Sequence, residues 1–186
     1  MTMDSVALCS KALVKVGALP IASLADQTAE AEVCASLYPL VRDALLSCHP
    51  WSFAVAQCRP EPDEDAEPLD GYAAAYALPE DFLRVLACGA SGSPHRIAGG
   101  FLHAAGGSPV LTYLCRAPEA AWPPFFDRAV VAAMAAELAL PIADSTSKAT
   151  HLAAIADEEL RRARFVDSSQ STAQALSSFP LVEVRS

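Results

Sequence analysis

The segment from Phe125 to Leu140 constrains this chain more than any other. It carries Ala129, Ala132, Ala133, Ala135, Ala136 and Ala139, with Trp122-Pro123-Pro124 ahead of it and Pro141 behind it. Proline suits the first turn of a helix and breaks its interior, so these boundaries predict a helix over about 124–140, stopped by Pro141. Small residues all round it let another helix approach closely. That makes it the central helix of a bundle.

Three further helices are expected around it. The first begins after Ser5, a good N-cap, and ends at Gly17, with a stripe of Cys9, Leu13 and Val16 facing inward and Lys11 and Lys15 facing water. The second covers about 28–48. Glu30 and Glu32 suit the helix dipole in its first turn, and Val33, Leu37, Leu40, Val41 and Leu45 form its apolar face. Pro39 should kink it, and His49-Pro50 closes it. The last runs over about 146–165 after Ser145 or Ser147. Asp157 with Arg161 and Glu158 with Arg162 stand four apart there, each pair worth roughly 0.3 kcal/mol on an exposed face.

Between the helix pairs the pattern changes. Trp51 and Phe53 fall on alternate positions of an extended segment and point the same way, plugging the end of the first helix pair. Tyr72 to Leu78 and Phe82 to Cys88 read as strands, with Pro79-Glu80-Asp81 turning between them. A hairpin of Arg96 to His103 and Val110 to Cys115 should turn at Gly106-Gly107-Ser108. Both faces of its second strand look covered, Leu111, Tyr113 and Cys115 on one and Val110, Thr112 and Leu114 on the other.

The chain has 186 residues, enough for one domain with a real core or for a domain plus an arm. Its mean hydropathy of +0.27 is high for a soluble monomer. Two readings fit: an Ala-rich helical protein, alanine being a helix former as much as a core residue, or a subunit that hides apolar surface against neighbours. A formal charge of -9 disfavours a direct reader of nucleic acid. Much of that charge sits in Glu61, Asp63, Glu64, Asp65, Glu67 and Asp70, which alternate with Pro60, Pro62 and Pro68 and read as a solvated, mobile loop.

The six cysteines lack zinc-knuckle and redox spacings. Cys9, Cys34 and Cys48 are expected on apolar helix faces as reduced, buried thiols. Asp4 and the lack of a basic cluster argue against a secretory signal, and Ala129 to Ala143 is too short and too interrupted to span a bilayer.

A search for chemistry yields no catalytic, cofactor-binding or metal-binding residues. The turn glycines are followed by no lysine of the phosphate-loop kind. His49, His95, His103 and His151 flank no nucleophile in an elbow motif, and the neighbours Cys48 and His49 should diverge at a helix end. Glu80 and Asp81 sit in a solvated turn, where Arg84 is the expected partner of one of them.

From Asp167 the chain becomes a polar tether ending in Phe179-Pro180-Leu181-Val182-Glu183-Val184. An apolar cluster at the end of such an arm is expected to order on a partner, through Phe179, Leu181, Val182 and Val184. The expected core instead includes Leu45, Trp51, Phe53, Leu83, Phe126 and Leu138.

Several patterns in order give a family resemblance. They are Val16-Gly17-Ala18 with Ile21 and Ser23-Leu24, then Tyr38, Val41-Arg42-Asp43 and Leu45-Leu46, then His49-Pro50-Trp51-Ser52-Phe53-Ala54, and finally Tyr72, Tyr76-Ala77-Leu78-Pro79-Glu80-Asp81-Phe82-Leu83-Arg84-Val85 and Ala136-Glu137-Leu138-Ala139. Together they resemble the head-to-tail adaptor proteins of tailed bacteriophages (tail tubular protein A, or the P22-type head completion adaptor) over about residues 5 to 165. The acidic proline loop is longer and more charged than that family leads one to expect.

The resemblance implies a structural virion protein and not an enzyme. It would form a ring, commonly of roughly twelve copies, in the neck between head and tail. Its partners would be the portal protein, a tail nozzle or other tail proteins, and further copies of itself. DNA would pass the lumen without specific binding, no membrane would be involved, and the C-terminal arm would reach the portal. The rivals are a neck or tail-completion ring of a long-tailed phage or gene-transfer particle and, in another class, a small hydrolase or ligand-binding module. The fold expected is α+β and mainly α: about four helices in a bundle, a small antiparallel sheet inserted over about 72–116, an adaptor domain over 1–166 and an extended arm over 167–186.

Overall fold

The computed structural model describes residues 3–89, 93–105 and 107–170. Its architecture is α+β and mainly α, with helices α1 (Ser5–Val16), α2 (Ala29–Ser47), α3 (Pro124–Ala143) and α4 (Thr146–Ser168). α3 is the hub, packed against α1, α2 and most extensively α4. Phe126, Ala129, Val130, Val131, Met134, Ala135, Leu138 and Ala139 are all buried along it, as a helix with small residues on every side allows.

Local chemistry sets the helix ends, and some differ from the sequence expectation. Asp4, not Ser5, caps α1, because its carboxylate accepts the Ala7 N–H at 2.8 Å and also suits the helix dipole. Gly17 closes the helix at φ 89°, a left-handed conformation that glycine adopts without strain. The Lys148 ammonium donates to the Val16 carbonyl at 2.8 Å and ties α4 to this end. Thr28 caps α2, its hydroxyl accepting the Ala31 N–H at 3.2 Å.

The inward face of α2 is Ala31, Cys34, Tyr38 and Leu46, with Val33, Leu37, Val41 and Leu45 beside it. Leu40 is 67% exposed and does not belong to that face. It lies two residues beyond Tyr38, roughly 200° around the helix. Pro141 does not stop α3 but sits in its last turn; the helix ends on Asp144 at φ 45°, whose N–H still reaches the Leu140 carbonyl at 3.1 Å. Aspartate tolerates this conformation better than most residues. On α4 both arginines choose one carboxylate: Arg162 Nε lies 2.9 Å from Glu158, and Arg161 pairs with Glu158 and not with Asp157.

Between α2 and α3 lie two antiparallel sheets instead of the one expected. Strands β1 (Val55–Cys58), β6 (Leu111–Cys115) and β3 (Phe82–Cys88) form the first, in the order β1-β6-β3. Strands β2 (Ala74–Ala77), β5 (Phe101–Ala104) and β4 (His95–Ala98) form the second, in the order β2-β5-β4. The strand region therefore starts at 55, not 72. The expected hairpin of 96–103 with 110–115 is not made. β4 instead turns directly into β5 through Gly99 and Gly100, at φ 59° and 83°, with Ala98 opposite Phe101. Two consecutive positive φ values give the tight turn whose twist matches a hairpin, and glycine supplies both.

The first sheet packs on the bundle through Leu114 and partly buried Leu83, and the two sheets share a smaller core of Tyr76, Leu102 and Ala104 from the second with Cys88, Leu111 and Tyr113 from the first. Arg116 rivets the first sheet to α2: its Nη2 lies 2.9 Å from Asp43 Oδ2 and its Nε 3.1 Å from both carboxylate oxygens. The acidic segment over 61–70 is largely exposed, and it is hydrogen-bonded to the second sheet at two points. Asp63 N–H donates to the Ala75 carbonyl at 2.9 Å, and Leu69 N–H to His103 Nδ1 at 3.2 Å.

Candidate functional site

The chain leaves the described structure at the end of α4, and that end is held by an unusual clasp. Asp167 is only 4% exposed. Its carboxylate accepts the Ser52 hydroxyl at 2.7 Å and the Ser52 backbone N–H at 3.1 and 3.2 Å. His49 Nε2 stands 3.4 Å from the other oxygen. The polar tether read from Asp167 onward is thus corrected: α4 continues to Ser168, and Asp167 falls one turn after buried Ala163 on the same face.

Ser52 opens a 3-10 turn over Ser52–Ala54, and a side-chain oxygen on the donors at such a turn acts as a cap. Trp51 precedes this turn and Phe53 lies within it, so the pair does not share an extended segment, yet the two still meet on one side, with ring centroids 5.9 Å apart. Phe126 from α3 packs 4.9 Å from each of them and 4.9 Å from Trp122. The Trp51 indole N–H donates to the Leu45 carbonyl at 2.8 Å and so satisfies one of the open carbonyls at the end of α2. His49 stacks edge-on against Trp51, with centroids 4.7 Å apart. Trp51, Phe126 and Leu138 are fully buried, while Leu45, Phe53 and Leu83 pack partly buried against that core.

Ser52, His49 and Asp167 are the residue types of a hydrolytic triad, so their connectivity matters. In such a triad histidine stands between serine and carboxylate and takes the serine proton. Here the serine hydroxyl donates straight to the carboxylate and histidine lies on the carboxylate's other oxygen. Burial depresses the His49 pKa, with the Asp167 charge opposing it in part. The cluster fits a structural clasp, and its chemistry as drawn has no activated nucleophile.

The remaining candidates are placed as follows. Cys48, expected buried, is exposed at the C-cap of α2, its thiol donating to the Leu45 carbonyl at 3.1 Å, because the helix ends there and the side chain turns outward. Cys9 and Cys34 are buried against each other between α1 and α2; that contact and burial push the Cys9 thiol well up. Asp81 takes the Tyr113 hydroxyl at 3.0 Å, and burial followed by this bond pushes the Tyr113 pKa up to about 12. The Asp81 carbonyl accepts the Arg116 N–H at 2.7 Å and the Glu80 carbonyl faces the Arg116 guanidinium, so Arg116 takes the place expected for Arg84.

Just before the clasp α4 turns apolar residues outward. Phe165 is 75% exposed and Val166 40% exposed. The tail residues Phe179, Leu181, Val182 and Val184 lie outside the described residues. The clasp itself was missed in the sequence. Its one signal was the four-residue step from Ala163 to Asp167, which continues the buried side of α4.

Among the described residues no three His, Cys, Asp or Glu side chains stand together to hold a metal ion, and no helix is long and apolar enough to cross a membrane. No family model matches the chain, and no curated protein matches it.

Proposed function

We propose that this chain is a structural subunit of a tailed-phage particle, a head-to-tail adaptor that forms a ring on the portal and connects it to the tail. The observation that supports this most is the end of α4: Asp167 is locked to Ser52 while Phe165 and Val166 face outward. The chain continues from there through the apolar Phe179-Pro180-Leu181-Val182. A rigid helix end carrying exposed apolar residues and an apolar tail is suited to docking on another protein. In this reading the ring sits in the virion neck, tail proteins dock on its far side, and DNA passes the lumen without base-specific contacts. The acidic balance of the chain suits such a lumen, since it disfavours sticking of phosphates.

The test is the mass of the full chain, alone and mixed with the portal ring of its parent particle, beside a version lacking residues 177–186. The full chain is expected to add a ring of copies to the portal. The truncated chain should keep its circular dichroism and melting profile and bind the portal about tenfold more weakly. Full-length protein that never associates with the portal overturns the proposal.

A further inference from the structure

The face where α1 and α3 run side by side holds a groove of about 570 Å³, lined by Met3, Lys11, Lys15, Asp127, Arg128 and Val131. The chain has three lysines in all, and two of them line this groove. Neither lysine has a carboxylate partner among the described residues. Lys11 Nζ rests on the Met3 thioether at 2.6 Å, a weak acceptor, while Arg128 reaches out to Glu159 at 2.6 Å. Asp127 is the one carboxylate in the lining and offsets only one of the two lysines, Arg128 being paired with Glu159. Its Oδ1 is buried without a hydrogen-bond partner, and burial pushes its carboxyl up, the Lys11 charge opposing. The result is a cationic trough with apolar patches on a strongly acidic protein.

The opposite charge is concentrated elsewhere in the chain. Glu61, Glu64, Asp65, Glu67 and Asp70 are exposed on the segment over 61–70, with Asp63 half-buried among them. The segment is shaped in advance by Pro62 bridged to Tyr76, by Asp63 Oδ1 accepting the Asp65 N–H at 3.0 Å, and by the Leu69–His103 bond. It rides on the second sheet, which shares its core with the first and has no extensive contact with α1 or α3. Ridge and groove thus belong to different parts of one subunit.

We infer that the Lys11–Lys15–Arg128 groove receives the acidic proline ridge over 61–70 of a second copy of this chain, as a head-to-tail contact. Two different patches that meet in this way build a ring when the rotation closes. Fixed ridges of opposite charge set register and speed encounter more than they add affinity, so the contact weakens with salt. The inference rests on the ring reading given above, deepening it by naming the surfaces that meet.

The experiment mixes isotopically heavy and light full-length protein at high concentration and low salt, then couples lysine amines to carboxylates with a carbodiimide. Mixed heavy–light peptides joining Lys11 or Lys15 to residues 61–70 are expected. The double variant K11E/K15E should lose them and self-associate at least tenfold more weakly, with an unchanged melting curve. Adding E64K/D65K to that variant should restore association. Absence of mixed peptides, or self-association unaltered by K11E/K15E, overturns the assignment. The two readings separate on the portal: rings of K11E/K15E as salt-resistant as the native ones sink the groove and leave the adaptor standing. Mixed peptides from a chain that ignores the portal do the reverse.

Discussion

Ser52 and Asp167 are separated by 115 residues and joined by a hydroxyl–carboxylate hydrogen bond of 2.7 Å, which fastens the end of the last helix to the turn that follows the second. Replacing Asp167 by alanine removes the charge-assisted bonds to the hydroxyl and N–H of Ser52, an exposed residue that turns to water instead. Hydrogen bonds to a charged group contribute about 1.5–3 kcal/mol. D167A should therefore lower the free energy of unfolding by that amount, read as a lower denaturant midpoint with little change in slope, and a variant as stable as the parent would show that the clasp contributes nothing.

Acid should weaken the fold in two stages. Burial holds the His49 pKa below its ordinary value of 6.5, so the unfolded chain takes up that proton more readily, and stability falls as pH drops below about 6.5 through the lowered native value. Asp43 is also lowered: burial pushes it up, but the bonds from Arg116 and Arg42 outweigh that. Its contribution is present above the unfolded pKa of about 3.8 and is lost below it. Melting temperature measured from pH 8 to pH 3 should show both declines, and His49→Gln should remove only the first.

Phe126 is the common neighbour of Trp51, Phe53 and Trp122. Truncation to alanine opens a cavity among three rings from two segments, Trp51 and Phe53 on one side and Trp122 on the other, which cannot easily collapse together. F126A is expected to cost about 3–5 kcal/mol and to erase most of the near-ultraviolet circular dichroism, read by urea denaturation and spectroscopy.

At Gly100 a methyl group would meet nothing within 4 Å, so the effect of G100A comes from the backbone alone. Holding alanine at φ 83° costs about 1–2 kcal/mol. Hydrogen exchange should quicken in β4 and β5 and stay unchanged in α3 and α4. Equal exchange in all four elements would show that the turn does not need glycine.

Helix positions were legible in the sequence because their signals are local. Proline at the start of α3, Thr28 ahead of α2 and Gly17 after α1 each act within one turn. Strand partners were not, since pairing depends on residues far apart: β1 joins β6 across more than fifty residues, and nothing in Val55-Ala56-Gln57-Cys58 announces it. The hairpin was misplaced because two glycine pairs competed. Gly99-Gly100 won because equal four-residue strands flank it and close in register. The clasp at Asp167 was hidden for another reason. An aspartate before a serine-rich stretch looks solvated until the fold puts Ser52 against it.

The hub position of α3 also sets a schedule. Residues near both ends of the sequence must be available before the main core can close, because α1 and α2 pack on a helix that is made more than seventy residues after α2 ends. On a ribosome the first two helices would emerge with their apolar stripes uncovered and wait, some seconds at ordinary synthesis rates, for the hub to arrive. Such a chain gains from a chaperone early in its life, and slowing translation between residues 59 and 123 should raise its tendency to aggregate.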